Sequence, residues 1–163
     1  MVFRDGHIDG VIWKPLRRFD DARGWLCEIF RHDELPAEFQ PAMAYVSETK
    51  PGVSRGPHEH VEQADCFAFL GPGDFMLHLW DNRRASPSWA VYEAMLVGQS
   101  RPMVVVIPPG VVHAYQNVGA TAGWVINCPN RLYRGAGRRE AVDEIRHEDD
   151  ARSPFQIPTR RAA

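Results

Sequence analysis

The sequence is poor in lysine. Of its 19 basic residues, only Lys14 and Lys50 are lysines, and the other 17 are arginines. An excess of one charge sign is also missing, because 21 acidic residues leave a formal net charge of -2. Without a strong overall field, the chain is not predicted to bind nucleic acid or a membrane surface. An anionic ligand must therefore be held by a local cluster, and a reaction that needs an ammonium group has few candidates.

Cysteines and long apolar runs are scarce as well. Cys27, Cys66 and Cys128 form no C-x-x-C pair, and an odd number of widely spaced cysteines does not make a disulfide framework. The sequence contains no run of about 18 apolar residues, and its first residues carry charges where a signal peptide has an apolar segment. We therefore expect a soluble cytoplasmic protein with no membrane partner.

The apolar residues that are present occur in short runs. The 163 residues fit one domain, and 44% of them are hydrophobic, enough for a core. Thirteen glycines and thirteen prolines separate runs rich in Val, Ile, Phe and Trp, which is typical of many brief strands. We predict strands at about residues 10–19, 23–31, 41–48, 64–70, 74–82, 88–96, 102–107, 111–118 and 123–128.

This strand pattern predicts an all-β jelly roll or small barrel over about residues 10–130, with an open sandwich as the alternative. One short helix is predicted at Asp33–Phe39. Residues 131–163 are dense in both charge signs and show no clear hydrophobic period. We expect them to form an irregular tail that wraps the barrel of a single domain spanning residues 1–163.

Three histidines and one aspartate show a spacing that favours convergence. His58 and His60 are two positions apart on an extended segment, so their side chains point to one side. Asp65 follows at the start of the next strand, and His113 follows the Pro108-Pro109-Gly110 turn. These residues resemble the two cupin signatures, with Asp65 in the place of the usual Glu.

Three imidazoles and one carboxylate are suitable ligands for one Fe, Mn, Ni or Zn ion. The sequence therefore predicts His58, His60, Asp65 and His113 as metal ligands. The alternative is that these histidines are merely hydrogen-bonded residues of the barrel interior.

Three segments carry a closer resemblance: Asp21-Ala22-Arg23-Gly24-Trp25, then Gly52–His58 with its R-G-x-H motif, then Ile107–His113. In this order they resemble the dTDP-4-dehydrorhamnose 3,5-epimerase family. The resemblance implies a cupin jelly-roll homodimer that needs no cofactor and accepts a nucleotide-linked 4-keto-6-deoxy sugar. It also implies that His58 removes a proton next to the ketone, and that Arg23 and Arg55 bind the diphosphate, a role suited to a planar donor.

The sequence departs from that family in residues that matter for catalysis. The family's lysine falls on Asp65 in the Gln63-Ala64-Asp65 segment, and its general-acid tyrosine aligns with Asn127 or Ile126. Gln63 and Asn127 are therefore predicted to contact substrate without replacing those functions. A metal could carry the enolate charge instead, but a His58 that ligates a metal is not a free base. Tyr115, on the face of His113, or Glu62 is then a candidate proton carrier.

Three functions stay open from the sequence. The first is a sugar-nucleotide epimerase, with metal assistance as an option. The second is a metal-dependent cupin enzyme, of the dioxygenase or lyase type, that acts on a small organic substrate. The third is a non-catalytic sugar-binding cupin. Apolar residues within Gly10–Phe19 add to the expectation of a homodimer, because a lone edge strand should not expose them.

Overall fold

The computed structural model describes residues 1–158, and strands dominate them. The strands are β1 Arg4–Asp5, β2 Ile12–Pro15, β3 Arg18–Asp21, β4 Gly24–Cys27, β5 Tyr45–Thr49, β6 Ser54–Glu59, β7 Asp65–Phe69, β8 Asp74–Asp81, β9 Val91–Gly98, β10 Met103–Ile107, β11 Val111–Asn117, β12 Gly123–Asn127 and β13 Ile145–Arg146. Two short 3-10 helices lie at Ala37–Phe39 and Ala136–Arg138. In the described part of the chain, no helix is long and apolar enough to cross a membrane.

The strands form two main sheets and a separate hairpin. One sheet has the order β1-β9-β8-β11-β6-β13, the other has the order β2-β10-β7-β12-β5, and β3 pairs with β4 alone. All pairs are antiparallel except β1 with β9. Strands that are neighbours in a sheet are often distant in sequence, as in a jelly roll. The predicted all-β jelly roll is confirmed.

The main hydrophobic core combines inward-facing residues of both sheets. Phe67 and Phe69 of β7 contribute from one sheet, and Leu77 and Leu79 of β8 contribute from the other. Successive residues of a strand alternate between its faces, so the same strands also present residues outward. The outward faces determine how much of each strand is exposed.

Both sheets are covered on their outer faces, which explains why β7 and β10 are buried along their whole lengths. Cys66 and Val104 pack outside one sheet against the segment that contains Phe30. Trp80 packs outside the other sheet against Phe155 of the C-terminal tail. The described part of the predicted tail, up to residue 158, lies against the barrel and is irregular except for the 3-10 helix Ala136–Arg138 and strand β13, which pairs with β6.

Several predicted elements need correction. The strand predicted at residues 10–19 is divided into β2 and the start of β3, because strand structure is interrupted between Pro15 and Arg18. The helix predicted at Asp33–Phe39 is reduced to the 3-10 helix at its end, since Pro36 leaves too few residues for an α-helix. Strand β6, which carries His58, was predicted only as an extended segment, because Gly56 and Pro57 obscure its strand pattern.

The apolar residues of the segment Gly10–Phe19, on which the predicted dimer was based, are more buried than expected. Ile12 and Trp13 are partly buried against the two cores, and Leu16 is a core residue. Exposed apolar residues lie on the β3–β4 hairpin, where Trp25 is 46% and Leu26 is 65% exposed, and also on the β5–β12 pair, where Val46 is 62% and Trp124 is 50% exposed.

Candidate functional site

The pairing of β6 with β11 places His58 opposite His113, and their ring centroids are 4.4 Å apart. The two strands approach closely because Gly56 has no side chain. A Cβ at Gly56 would lie 2.5 Å from the carbonyl oxygen of His113, and the residue has a φ of +80°. A register shift between His113 and Tyr115 accompanies this approach. The glycine of the R-G-P-H segment thus brings the two imidazoles into contact.

The four predicted metal ligands converge. One ligand atom from each of His58, His60, Asp65 and His113 lies within 4.8 Å of the others. The Oδ2 atom of Asp65 is 3.1 Å from Nε2 of His60 and 3.1 Å from Nε2 of His113. His58 comes from β6, Asp65 begins β7, and His113 lies in β11. Both main sheets therefore contribute to one interior site.

Amide side chains fix the orientation of Asp65. Its Oδ1 atom accepts hydrogen bonds from Gln63 Nε2 at 2.9 Å and from Asn127 Nδ2 at 2.8 Å. Asn127 is itself held, because its Oδ1 accepts a hydrogen bond from the backbone N–H of Cys66. Gln63 and Asn127 thus position the carboxylate. Their predicted contact with substrate stays a prediction.

Backbone carbonyls fix the two histidines that face Asp65. Nδ1 of His113 lies 3.1 Å from the carbonyl oxygen of Val111, and Nδ1 of His60 lies against the carbonyl oxygen of Asp143. A carbonyl can only accept, so each Nδ1 carries the hydrogen in these contacts. In the neutral rings, both Nε2 atoms then present lone pairs to Oδ2 of Asp65.

This arrangement brings the carboxylate of Asp65 and two imidazole lone pairs close together in a buried site, which favours a positive charge there. Burial disfavours a charged His60, but the hydrogen bond and charge of Asp65 outweigh burial and raise the pKa of His60 to about 9. Burial alone would raise the pKa of Asp65, yet its contacts with His113 and His60 hold that pKa well below its usual value. The site therefore favours an ionised carboxylate with a positive charge beside it.

His58 differs from its neighbours. Burial, and then the nearby His113, lower the pKa of His58 well below its usual value, so its ring is neutral. Among residues 1–158, no hydrogen bond to either ring nitrogen of His58 is present. A neutral imidazole with an uncommitted nitrogen can accept a proton from a substrate.

Arg55 and Tyr115 lie next to this cluster and face each other across β6 and β11. Arg55 donates from Nε to Oγ1 of Thr49 and from Nη2 to the carbonyl oxygen of Glu48. Tyr115 is buried, and its hydroxyl lies 3.1 Å from Oγ of Ser47. Burial raises the pKa of Tyr115, which keeps its hydroxyl protonated.

Arg23 is not part of the cluster within the described chain. It lies in the turn of the β3–β4 hairpin, its side chain is 89% exposed, and its side-chain hydrogen bonds go to Asp21. Its predicted role in diphosphate binding receives no support from contacts inside the barrel.

Two residues near the site were missed by the sequence reasoning. Tyr45 lies opposite Asn127 in the β5–β12 pair and accepts a hydrogen bond from its Nδ2 at 3.0 Å. Burial raises the pKa of Tyr45 to about 12. No local signal marks Tyr45, because its role depends on pairing with a strand about eighty residues away.

Asp143 is the second missed residue. Its carboxylate accepts hydrogen bonds from the backbone N–H groups of Val61, Glu62 and Gln63 at 2.8–2.9 Å. It therefore fixes the turn between His60 and Asp65. The tail carries a cluster of acidic residues, and the sequence alone does not single out this one.

The fold and the site together define a cupin-type jelly-roll protein with a polar site inside the barrel. A sequence model of the dTDP-4-dehydrorhamnose 3,5-epimerase family matches residues 5–151. The chain is 34% identical over 128 residues to the protein named probable low-salt glycan biosynthesis epimerase Agl13 of Haloferax volcanii, covering 78% of this chain and 81% of the relative.

Solved structures agree in fold. The dTDP sugar isomerase of Desulfovibrio desulfuricans G20 superposes with a TM-score of 0.78 at 24% identity, covering 91% of each chain. The epimerase of Legionella pneumophila, solved with dTDP-4-keto-L-rhamnose, has a TM-score of 0.71 at 20% identity, covering 87% of this chain and 74% of that one. The chain belongs to the dTDP-4-dehydrorhamnose 3,5-epimerase family, and the predicted class of sugar-nucleotide epimerase is confirmed.

Proposed function

We propose that this protein epimerises a nucleotide-linked 4-keto-6-deoxy sugar, with His58 as the base that removes a proton from a carbon next to the ketone. The observation that carries the proposal is the neutral, uncommitted imidazole of His58 in the R-G-P-H segment of an epimerase-family barrel. The non-catalytic alternative has less support, because a binding protein does not need a free base in its interior.

The reaction consists of two proton transfers. The ring nitrogen of His58 takes the proton, and the C–H electron pair forms a double bond to the carbonyl carbon while the ketone oxygen becomes an enolate. A proton returned to the opposite face inverts the carbon and restores the ketone. The second proton must come from a different group on the other side of the sugar.

Tyr45 is the best candidate for that proton donor. Its hydroxyl accepts a hydrogen bond from Asn127, which leaves its own hydrogen free to point toward a ligand. The residue is 46% exposed, so a ligand can approach it from solvent. Tyr115, the donor predicted from the sequence, is more deeply buried and already lies against Ser47. It stays the second candidate.

Arg55 is proposed to bind the diphosphate of the substrate. Its guanidinium has five N–H donors, of which the contacts with Thr49 and Glu48 use two. The remaining donors suit phosphate oxygens. The neighbour from Legionella pneumophila is a complex with a dTDP-linked keto sugar, and the shared fold supports the same substrate class here.

A homodimer is also proposed, and the β3–β4 hairpin supports it. Phe19, Trp25 and Leu26 are 46–65% exposed on this two-stranded element, which pairs with neither main sheet. A second copy that covered them would bury apolar surface and could bring Arg23 to a neighbouring site. Sedimentation at micromolar concentration should show a species of twice 18.5 kDa, and a species of 18.5 kDa alone would contradict the dimer.

The three free thiols support a cytoplasmic location.

The test of the epimerase function is proton exchange with solvent. The protein is incubated in D2O with a dTDP-linked 4-keto-6-deoxy sugar, and deuterium at the carbons next to the ketone is followed by NMR. Wild type should incorporate deuterium and form the epimer. His58→Asn should do neither, whereas His32→Asn, at an exposed histidine, should behave as wild type. Equal exchange by His58→Asn and wild type would contradict the assignment of the base.

A further inference from the structure

We propose that His60, Asp65 and His113 bind one divalent transition-metal ion, with a ring nitrogen of His58 next to it. The proposal concerns a binding site and does not depend on the epimerase reaction. A role for the ion in polarising the substrate ketone does rest on the proposed function.

The geometry of the donor atoms fits a small ion. Oδ2 of Asp65 lies 3.1 Å from Nε2 of His60 and from Nε2 of His113. A tetrahedral ion with bonds of about 2.0–2.2 Å separates its ligand atoms by about 3.3–3.6 Å. The two distances to Asp65 are thus within a few tenths of an ångström of this value, and the third pair of donors, on His60 and His113, lies within 4.8 Å.

The hydrogen bonding leaves Oδ2 of Asp65 and Nε2 of His113 free for the ion, whereas Nε2 of His60 lies 3.2 Å from Nε2 of Gln63, a contact that an ion would have to replace. Oδ1 of Asp65 is occupied by Gln63 and Asn127, so the Oδ2 atom is the one presented to the histidines. Nε2 of His113 is buried and has no hydrogen-bond partner among the described residues. A buried ring nitrogen that faces a carboxylate with its lone pair is costly unless something positive lies between them.

The surroundings match those of protein metal sites. Ligating histidines usually donate their other N–H to a carbonyl or carboxylate, and ligating carboxylates are themselves hydrogen-bonded. His113 donates to Val111, and His60 contacts the carbonyl of Asp143. Asp65 accepts from two amides. These interactions hold the ligands in place before an ion arrives.

The chemistry of the donors selects the kind of ion. Two imidazoles and one carboxylate suit Zn, Fe, Mn, Ni or Co better than Mg or Ca, which prefer oxygen ligands. Three protein ligands leave at least one coordination position open, as in catalytic metal sites. A ring nitrogen of His58 lies within 4.8 Å of the three ligand atoms, so it is beside that position.

The competing explanation is a proton shared between His60 and Asp65, and metal titration separates the two. Untagged protein is analysed for metals by mass spectrometry, stripped with a chelator, and titrated with Zn²⁺ by calorimetry and with Co²⁺ by visible absorption. We expect one ion per chain, cobalt bands typical of low coordination number, and a higher melting temperature with metal. Wild-type protein that takes up no ion would overturn the proposal, whatever the variants do.

Variants test the ligand assignment. His60→Ala and Asp65→Asn should each lower the affinity for Zn²⁺ by about ten-fold or more, a scale set by losses in the ligand surroundings. His32→Ala is the matched control and should bind as wild type. His58→Asn should retain one ion per chain and change the cobalt spectrum only slightly. Retention of full affinity by Asp65→Asn, or loss of the ion in His58→Asn, would overturn the three-ligand assignment.

Discussion

The barrel interior and the β3–β4 hairpin carry the residues predicted for function, and they differ in how much of their environment the chain itself supplies. Inside the barrel, each of His60, Asp65 and His113 is held by at least one hydrogen bond from the same chain. On the hairpin, the side-chain hydrogen bonds of Arg23 to the described residues go to Asp21, and the side chain is 89% exposed.

This difference indicates that the barrel interior carries the chemistry and that the hairpin has a role in recognition. A buried, hydrogen-bonded cluster keeps its geometry without a ligand, so it can be preorganised for proton transfer or metal binding. An exposed ion pair such as that of Arg23 with Asp21 contributes little to stability by itself. Arg23 needs a second copy or a ligand to acquire a role.

The largest effect should come from removing the base. His58→Asn should lower kcat by about 10²- to 10⁴-fold, the usual contribution of a positioned acid or base. Circular dichroism should be unchanged, because Asn occupies less space and the ring nitrogens of His58 make no hydrogen bond to the described residues. A loss of less than about three-fold would place the base elsewhere in the barrel.

The two arginines should differ in their effect on nucleotide binding. Arg55→Ala should weaken dTDP binding by about ten- to a hundred-fold, because a charge-assisted contact contributes about 1.5–3 kcal/mol. Arg23→Ala should have a smaller effect, since its side chain is 89% exposed. Calorimetric titration of dTDP measures both. Equal losses would show that the hairpin reaches the site as effectively as the barrel does.

The close approach of β6 and β11 can be tested at two glycines. Gly56→Ala should lower the free energy of unfolding by about 1–3 kcal/mol, because it combines a positive φ with a clash against the backbone of His113. Gly52→Ala is the matched control: its φ of +74° is similar, but nothing lies within 4 Å of the added Cβ. Urea unfolding should rank Gly56→Ala as clearly less stable, and equal losses would remove the argument from close approach.

The smallest effect should come from the tail. Asp143→Asn keeps one carbonyl oxygen where the carboxylate offers two acceptors to three N–H groups. We expect about ten-fold weaker Zn²⁺ binding with little change in melting temperature. Asp149→Asn, at an exposed acidic residue of the same tail, should match wild type. Unchanged Zn²⁺ affinity in Asp143→Asn would show that the turn holds its shape without this residue.

Sequence reasoning predicted the interior better than its surroundings. His58, His60 and His113 follow from strand alternation and turn signals, which are local, and the structure brings them together with Asp65. Tyr45 and Asp143 act through pairing and contacts more than eighty residues apart in sequence, so local patterns do not reveal them. The position of Arg23 depends on a hairpin that leaves both main sheets, which strand periodicity does not predict.

The strands show the same dependence on local sequence signals. The strands with continuous apolar character, β7 and β10, were predicted to within about one residue at each end. Strand β6 was harder to predict. Its Gly56 permits the close approach to β11, but Gly56 and Pro57 are residues that are uncommon in strands. The residues that build the site are thus those that weaken the local sequence signal.

The central claim joins the two proposals: a free base and a bound cation inside one barrel act together on the substrate ketone. The most direct test is the rate of deuterium incorporation next to the substrate ketone in metal-free protein, before and after addition of one equivalent of Zn²⁺ or Mn²⁺. The account predicts slow exchange without metal and at least about ten-fold faster exchange with it. Metal-free protein that exchanges at the full rate would contradict the claim.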